Sequence, residues 1–223
     1  MTPRTANIAT SRRSILLGGL SAAAAAGLTA CSGSSRGVRH AAAHPSTAPA
    51  SSEASPYVGP LRALALAAAL DNLAVQAYAV ARTRAAGSGY GSVPPAVTAF
   101  LTAAQAQHRE HASAWNARLS AGGAPPVTAV PLRGAASLLA PFHAAATVHD
   151  LETAAGTLEL ALAQTCLAAI NGLTDAADLG LAAAVAPVEA QHAAILNMFL
   201  GTTPVPAATL STGSAVSPDT LTA

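Results

Sequence analysis

Between Pro60 and Gly201 apolar residues recur at three- and four-residue spacing, the pattern of helices that bury one face. Four such segments follow one another. The first spans Pro60 to Ala86, with the stripe Leu61, Leu64, Ala68, Asp71, Val75 and Tyr78, and stops at Gly87-Ser88-Gly89. The second opens at Pro94-Pro95, where proline suits a first turn, carries Leu101, Ala104, His108, His111, Trp115 and Leu119, and stops at Gly122-Gly123. Residues 124–142 are proline-rich and predict an irregular crossover with a short helical turn near Ser137. The third helix is expected over His143 to Ile170, with Glu152, Ala155, Glu159, Leu162 and Cys166 on its stripe. The fourth runs from an N-cap at Thr174 to Leu200, with Val185, Glu189, His192, Leu196 and Phe199 inward and Pro187 expected to kink or delay it. Short, long and short connections predict an all-α fold: an antiparallel four-helix bundle over residues 57–201, with a long crossover between helices two and three.

Each inward stripe is interrupted by residues that do not belong in an apolar core. They are Asp71, then His108 and His111, then Glu159, then Glu189 and His192. A buried carboxylate needs a cation, a histidine or a proton as partner. Glu189-x-x-His192 puts a carboxylate and an imidazole on one helical face, where both can reach one metal ion. Polar residues at mid-height on all four helices are how bundle cores build metal sites.

The two halves also look duplicated. Asp71 precedes Tyr78 by seven residues, as Glu159 precedes Cys166, and His108-Arg-Glu-His111 aligns with Glu189-Ala-Gln-His192. On these residues, over about 60–201, the chain resembles the ferritin-like superfamily, in particular its exported bacterial branch related to rubrerythrin-type and desiccation-associated proteins. The resemblance implies a ferritin-like four-helix bundle with a dinuclear iron or manganese centre and a role in iron oxidation, peroxide handling or oxygen activation. The family pattern has Glu on helices one and three and Glu-x-x-His on helices two and four. This chain departs from it with the shorter Asp71 and with His108 in place of a bridging Glu. Three carboxylates and three imidazoles suit a single iron, manganese or zinc ion at least as well as two ions.

A metal-free alternative stays open, in which the same residues pair with one another as a structural polar network in an envelope binding or scaffold protein. His149 and Glu152 form a second three-residue pair one heptad from Glu159. Cys166, alone on an apolar face with no base beside it in sequence, reads as packing rather than as a nucleophile.

The ends of the chain concern location. Ser11-Arg12-Arg13-Ser14 and the apolar run Ile15 to Ala30 have twin-arginine signal architecture, and Leu28-Thr29-Ala30-Cys31 matches a lipobox. Residues 1–30 are therefore expected to be a signal peptide and Cys31 a lipidated residue. Residues 31–56 read as a flexible Ser-, Ala- and Pro-rich tether, and 202–223 as a disordered tail. The expected product is exported and held by lipid on the outer face of the cell membrane. With Cys31 modified, Cys166 has no disulfide partner. A net charge of +1, with charged residues only 9 % of the chain, gives nucleic-acid binding no support, and a homodimer is compatible with the reading.

Overall fold

The computed structural model describes residues 55–223; the signal, the lipobox at Cys31 and nearly all of the tether lie outside the described residues. Five helices follow: α1 Pro60–Ala86, α2 Pro95–Ala121, α3 Ala135–Ala144, α4 Val148–Ala169 and α5 Ala176–Phe199. Helices α1 and α2 pair through a short turn, as do α4 and α5, and α1 also packs on α4. Together α1, α2, α4 and α5 make an all-helical bundle, with α3 laid against α1 and α4.

Helix α1 is the most enclosed element. Ala65, Ala68, Ala69, Ala74, Ala77 and Ala81 are fully buried along it, so small side chains let its neighbours approach closely. By length and composition α1, α4 with its following turn, and α5 could each cross a membrane. In the bundle their apolar faces meet one another, and each also turns a carboxylate inward: Asp71, Glu159 and Glu189.

The first two predicted helices match the observed ones, and the third and fourth shift at their starts. The segment assigned to the beginning of helix three splits, because His143 falls in the last turn of the separate α3 and α4 starts only after Thr147. There the Thr147 hydroxyl accepts from the Asp150 N–H at 3.1 Å, and the Asp150 carboxylate accepts from the Thr147 N–H at 2.9 Å. This reciprocal box fixes the start of the helix. The N-cap of α5 is Asp175 rather than Thr174: its Oδ1 accepts from the N–H groups of Ala177 and Asp178 at 2.9 and 3.2 Å. α5 continues through Pro187. The helical partner that proline takes away is that of the Ala183 carbonyl, and Ala183 is exposed, where water can serve instead.

Two segments expected to be irregular or disordered are pinned to the helices. In the crossover, Val127 N–H donates to Asn116 Oδ1 at 2.7 Å, and its carbonyl accepts from Asn72 and Asn116 at 2.8 and 3.0 Å. The expectation of a disordered tail after Thr202 is corrected. Ser214 N–H donates to Gln164 and Val216 N–H to Thr165, at 2.6 and 2.8 Å, and Leu221 is buried in an antiparallel bridge with Leu132. The tail is held because α4 offers it two buried polar side chains as acceptors and the crossover gives Leu221 an apolar seat.

Candidate metal centre

The residues that break the four apolar stripes converge. α1 brings Asp71, α2 brings His108 and His111, α4 brings Glu159, and α5 brings Glu189 and His192. All are buried except His111, whose side chain is 13 % exposed and gives the cluster its contact with solvent.

They form two four-donor groups. Asp71, His108, His111 and Glu189 make the first; His108, Glu159, Glu189 and His192 make the second. In each, the donor atoms lie within 4.8 Å of one another. In the first group, His108 Nδ1 is 2.9 Å from Asp71 Oδ1, and His111 Nδ1 is 2.8 Å from Glu189 Oε1. In the second, His108 Nε2 is 3.0 Å from Glu159 Oε1, and His192 Nδ1 is 3.2 Å from Glu159 Oε2. Glu189 Oε2 is buried and has no hydrogen-bond partner, an orphan acceptor at the heart of the cluster. Such an oxygen is costly to bury unless a cation satisfies it. The donor set is one that iron, manganese or zinc accepts, so the residues present fit a metal ion.

With protons in place of metal, the cluster compensates itself. Burial pulls the His108 imidazole down, but the Glu159 charge and the hydrogen bonds to Asp71 and Glu159 outweigh it and hold its pKa well above the usual 6.5. Burial opposes protonation of His111 and His192 too, yet the acidic side chains beside them raise both to about 9, Asp71 and Glu189 for His111 and Glu159 and Glu189 for His192. Glu159 is the reverse case. Burial raises its pKa, while the His108 charge and the hydrogen bonds of His108 and His192 bring it well below the usual carboxylate range. Three imidazolium ions then sit beside the ionised Glu159 within the acidic cluster.

The sequence reading missed the side chains that hold these donors. Trp115 Nε1–H donates to Asp71 Oδ2 at 2.8 Å, and the Tyr78 hydroxyl donates to Glu159 Oε1. Both aromatics lie on the predicted stripes, yet their partners sit on other helices and cannot be read from spacing. Gln107 Oε1 is 2.6 Å from His192 Nε2, and nothing in the periodicity marks this exposed residue. When Nε2 carries a proton donated to Gln107, the neutral ring keeps its lone pair at Nδ1, which faces the two glutamates.

The second sequence pair stays apart. Glu152 is buried and its pKa is raised by burial, His149 is exposed, and neither belongs to the two groups. Cys166 is buried, and burial, then the Asp71 and Glu189 charges, push its thiol well above the ordinary value, which makes it a poor nucleophile. A cavity of about 650 Å³ lies beneath α3, lined by Leu70, Leu138, Pro141, Leu158 and Val216 among others, and none of the donors lines it.

Comparison with known proteins agrees with this architecture. No curated protein matches the chain. A solved structure, that of a conserved hypothetical protein, rv2844, from Mycobacterium tuberculosis, superposes with a TM-score of 0.51 at 22 % identity, covering 67 % of this chain and 96 % of that one. At this identity the likeness concerns the fold alone. The ferritin-like domain family matches residues 59–202, which hold all the donor residues and the greater part of the sequence, and the chain belongs to that family.

Proposed function

We propose that this is an exported, lipid-anchored ferritin-like protein of the rubrerythrin and desiccation-related branch that binds one or two transition-metal ions in its core. Asp71, His108, His111, Glu159, Glu189 and His192 would hold the metal. The observation that carries the reading is the unpartnered, buried Glu189 Oε2 amid donors from four helices. Bound iron or manganese would supply electron transfer to peroxide or dioxygen; zinc would supply charge without redox. The chain's own part is to exclude bulk water, to fix His192 through Gln107 and Asp71 through Trp115, and to leave His111 at the opening. With the donors otherwise buried, the species that reach the centre are expected to be ion-sized or similarly small, in keeping with iron or peroxide handling at the cell surface.

Protein produced with iron, manganese and zinc available is expected to retain stoichiometric metal by elemental analysis, and adding metal to the stripped protein should raise its Tm, since a ligand of the native state stabilises it. A bundle that stays empty, with Tm unmoved by any of the three metals, removes the proposal.

One observation favours a second reading, that of a metal-free envelope scaffold: imidazoles and carboxylates are equal in number and pair closely. Replacing Glu189 and His192 together by Ala separates the two. Loss of a metal site abolishes binding and destabilises the loaded protein, whereas joint removal of two network partners is close to neutral for a structural role.

A further inference from the structure

The two donor groups share only His108 and Glu189, and these are each other's counterparts in the duplicated halves. We propose that the centre takes two divalent transition ions, one on each side of the His108 ring, with that ring as an imidazolate bridge binding one ion through Nδ1 and the other through Nε2. This rests on the metal-binding reading above and adds the nature of the bridge.

The geometry of the first group carries the argument furthest. His108 Nδ1 stands 2.9 Å from Asp71 Oδ1 and 3.5 Å from Glu189 Oε1, while His111 Nδ1 stands 3.5 and 2.8 Å from the same two oxygens. Four donors held tetrahedrally at ordinary zinc–nitrogen and zinc–oxygen distances of about 2 Å are separated by ~3.3 Å from one another. The observed separations bracket that value. On the other side of the ring, His108 Nε2 stands 3.0 Å from Glu159 Oε1. His192 Nδ1 completes that side at 3.2 Å from Glu159 Oε2 and 3.6 Å from Glu189 Oε2. Glu189 thus divides its oxygens between the groups, and the one on the second side is the orphan.

A neutral imidazole cannot bridge, because one of its nitrogens carries a proton. Each metal–nitrogen bond at His108 forms as the proton on that nitrogen leaves to solvent. Charge then closes, since two divalent ions carry four positive charges, and three carboxylates with one imidazolate carry four negative. The ring sets the ions roughly 6 Å apart, two bonds of about 2 Å plus its own width. Ions bridged by oxygen alone lie about 3.5–4 Å apart.

Zinc-loaded crystals of the protein, examined by anomalous diffraction with elemental analysis of the same preparation, test this. Two ions roughly 6 Å apart, one on each His108 nitrogen, support it. Two ions about 3.5–4 Å apart joined through Glu189, or a single ion, overturn the bridge and leave the metal-binding reading standing. No ion, with Tm unmoved by zinc, iron or manganese, overturns both. In solution, His108→Gln that keeps its helical circular dichroism should weaken zinc binding at least tenfold and hold fewer than two ions. Unchanged two-ion binding by that variant overturns the bridge as well.

Discussion

At the scale of the residue, the donors were legible in sequence because each broke an apolar stripe at mid-height. Their partners were not. Tyr78 and Trp115 occupy ordinary core positions, and only the packing of α1 against α4 and of α2 against α1 turns the Tyr78 hydroxyl toward Glu159 and the Trp115 indole toward Asp71. The aligned halves solve the same problem differently. The first helix of each half, α1 and α4, has its acid held by one aromatic donor, but the donors come from non-equivalent places in the repeat, Tyr78 on α1 and Trp115 on α2. The ionic character of the cluster predicts an opposed response to pH. For His111 and His192 the folded pKa of about 9 lies above the unfolded 6.5, so their stabilisation of the metal-free protein is complete below 6.5 and lost as pH rises through 9. Glu159 is depressed in the folded state, so its contribution is present above the unfolded value of 4.5 and lost as pH falls. Chelator-treated protein should therefore be most stable between about pH 4.5 and 6.5 and weaken toward pH 9. Metal competes with those same protons, so the rise in Tm on adding zinc should grow over the alkaline range. Thermal melts with and without zinc at each pH check both trends, and a zinc effect independent of pH would contradict them.

At the scale of the element, periodicity located helices well and their starts less well. The first two were bounded by proline and glycine, which speak locally. The start of α4 depended on Thr147 and Asp150, a Thr-x-x-Asp box hidden among alanines that can themselves continue a helix. Replacing Thr147 by Ala removes the cap and should cost about 1 kcal/mol in chemical unfolding. Because α4 carries Glu159 three turns further on, the metal stoichiometry should be unaffected. An unchanged unfolding midpoint would mean that tertiary packing, and not the cap, decides where α4 begins.

At the scale of the whole molecule, the bundle and its crossover followed from the lengths of the connections. What escaped the sequence was everything held by side chains acting on distant backbone. Asn72 and Asn116 grip Val127, and Gln164 and Thr165 grip the tail. These contacts leave no period in the sequence, and the tail's small polar residues look like those of an unstructured segment. The same contacts bring the two ends of the described chain together, with the Ser55 hydroxyl donating to the Ala223 carbonyl at 2.6 Å. Connectivity is therefore separable from architecture. A circular permutant joining residue 223 to residue 55 through a short glycine linker, and opened between the exposed Ser88 and Gly89, would carry its new ends about 40 Å along α1 from the old ones. Asp71 lies near the middle of that helix, remote from both the join and the cut, so the permutant should fold with the same helix content and the same metal stoichiometry. Helix α1 would then be synthesised last, after α5, while the symmetry that joins the two halves at His108 and Glu189 would survive.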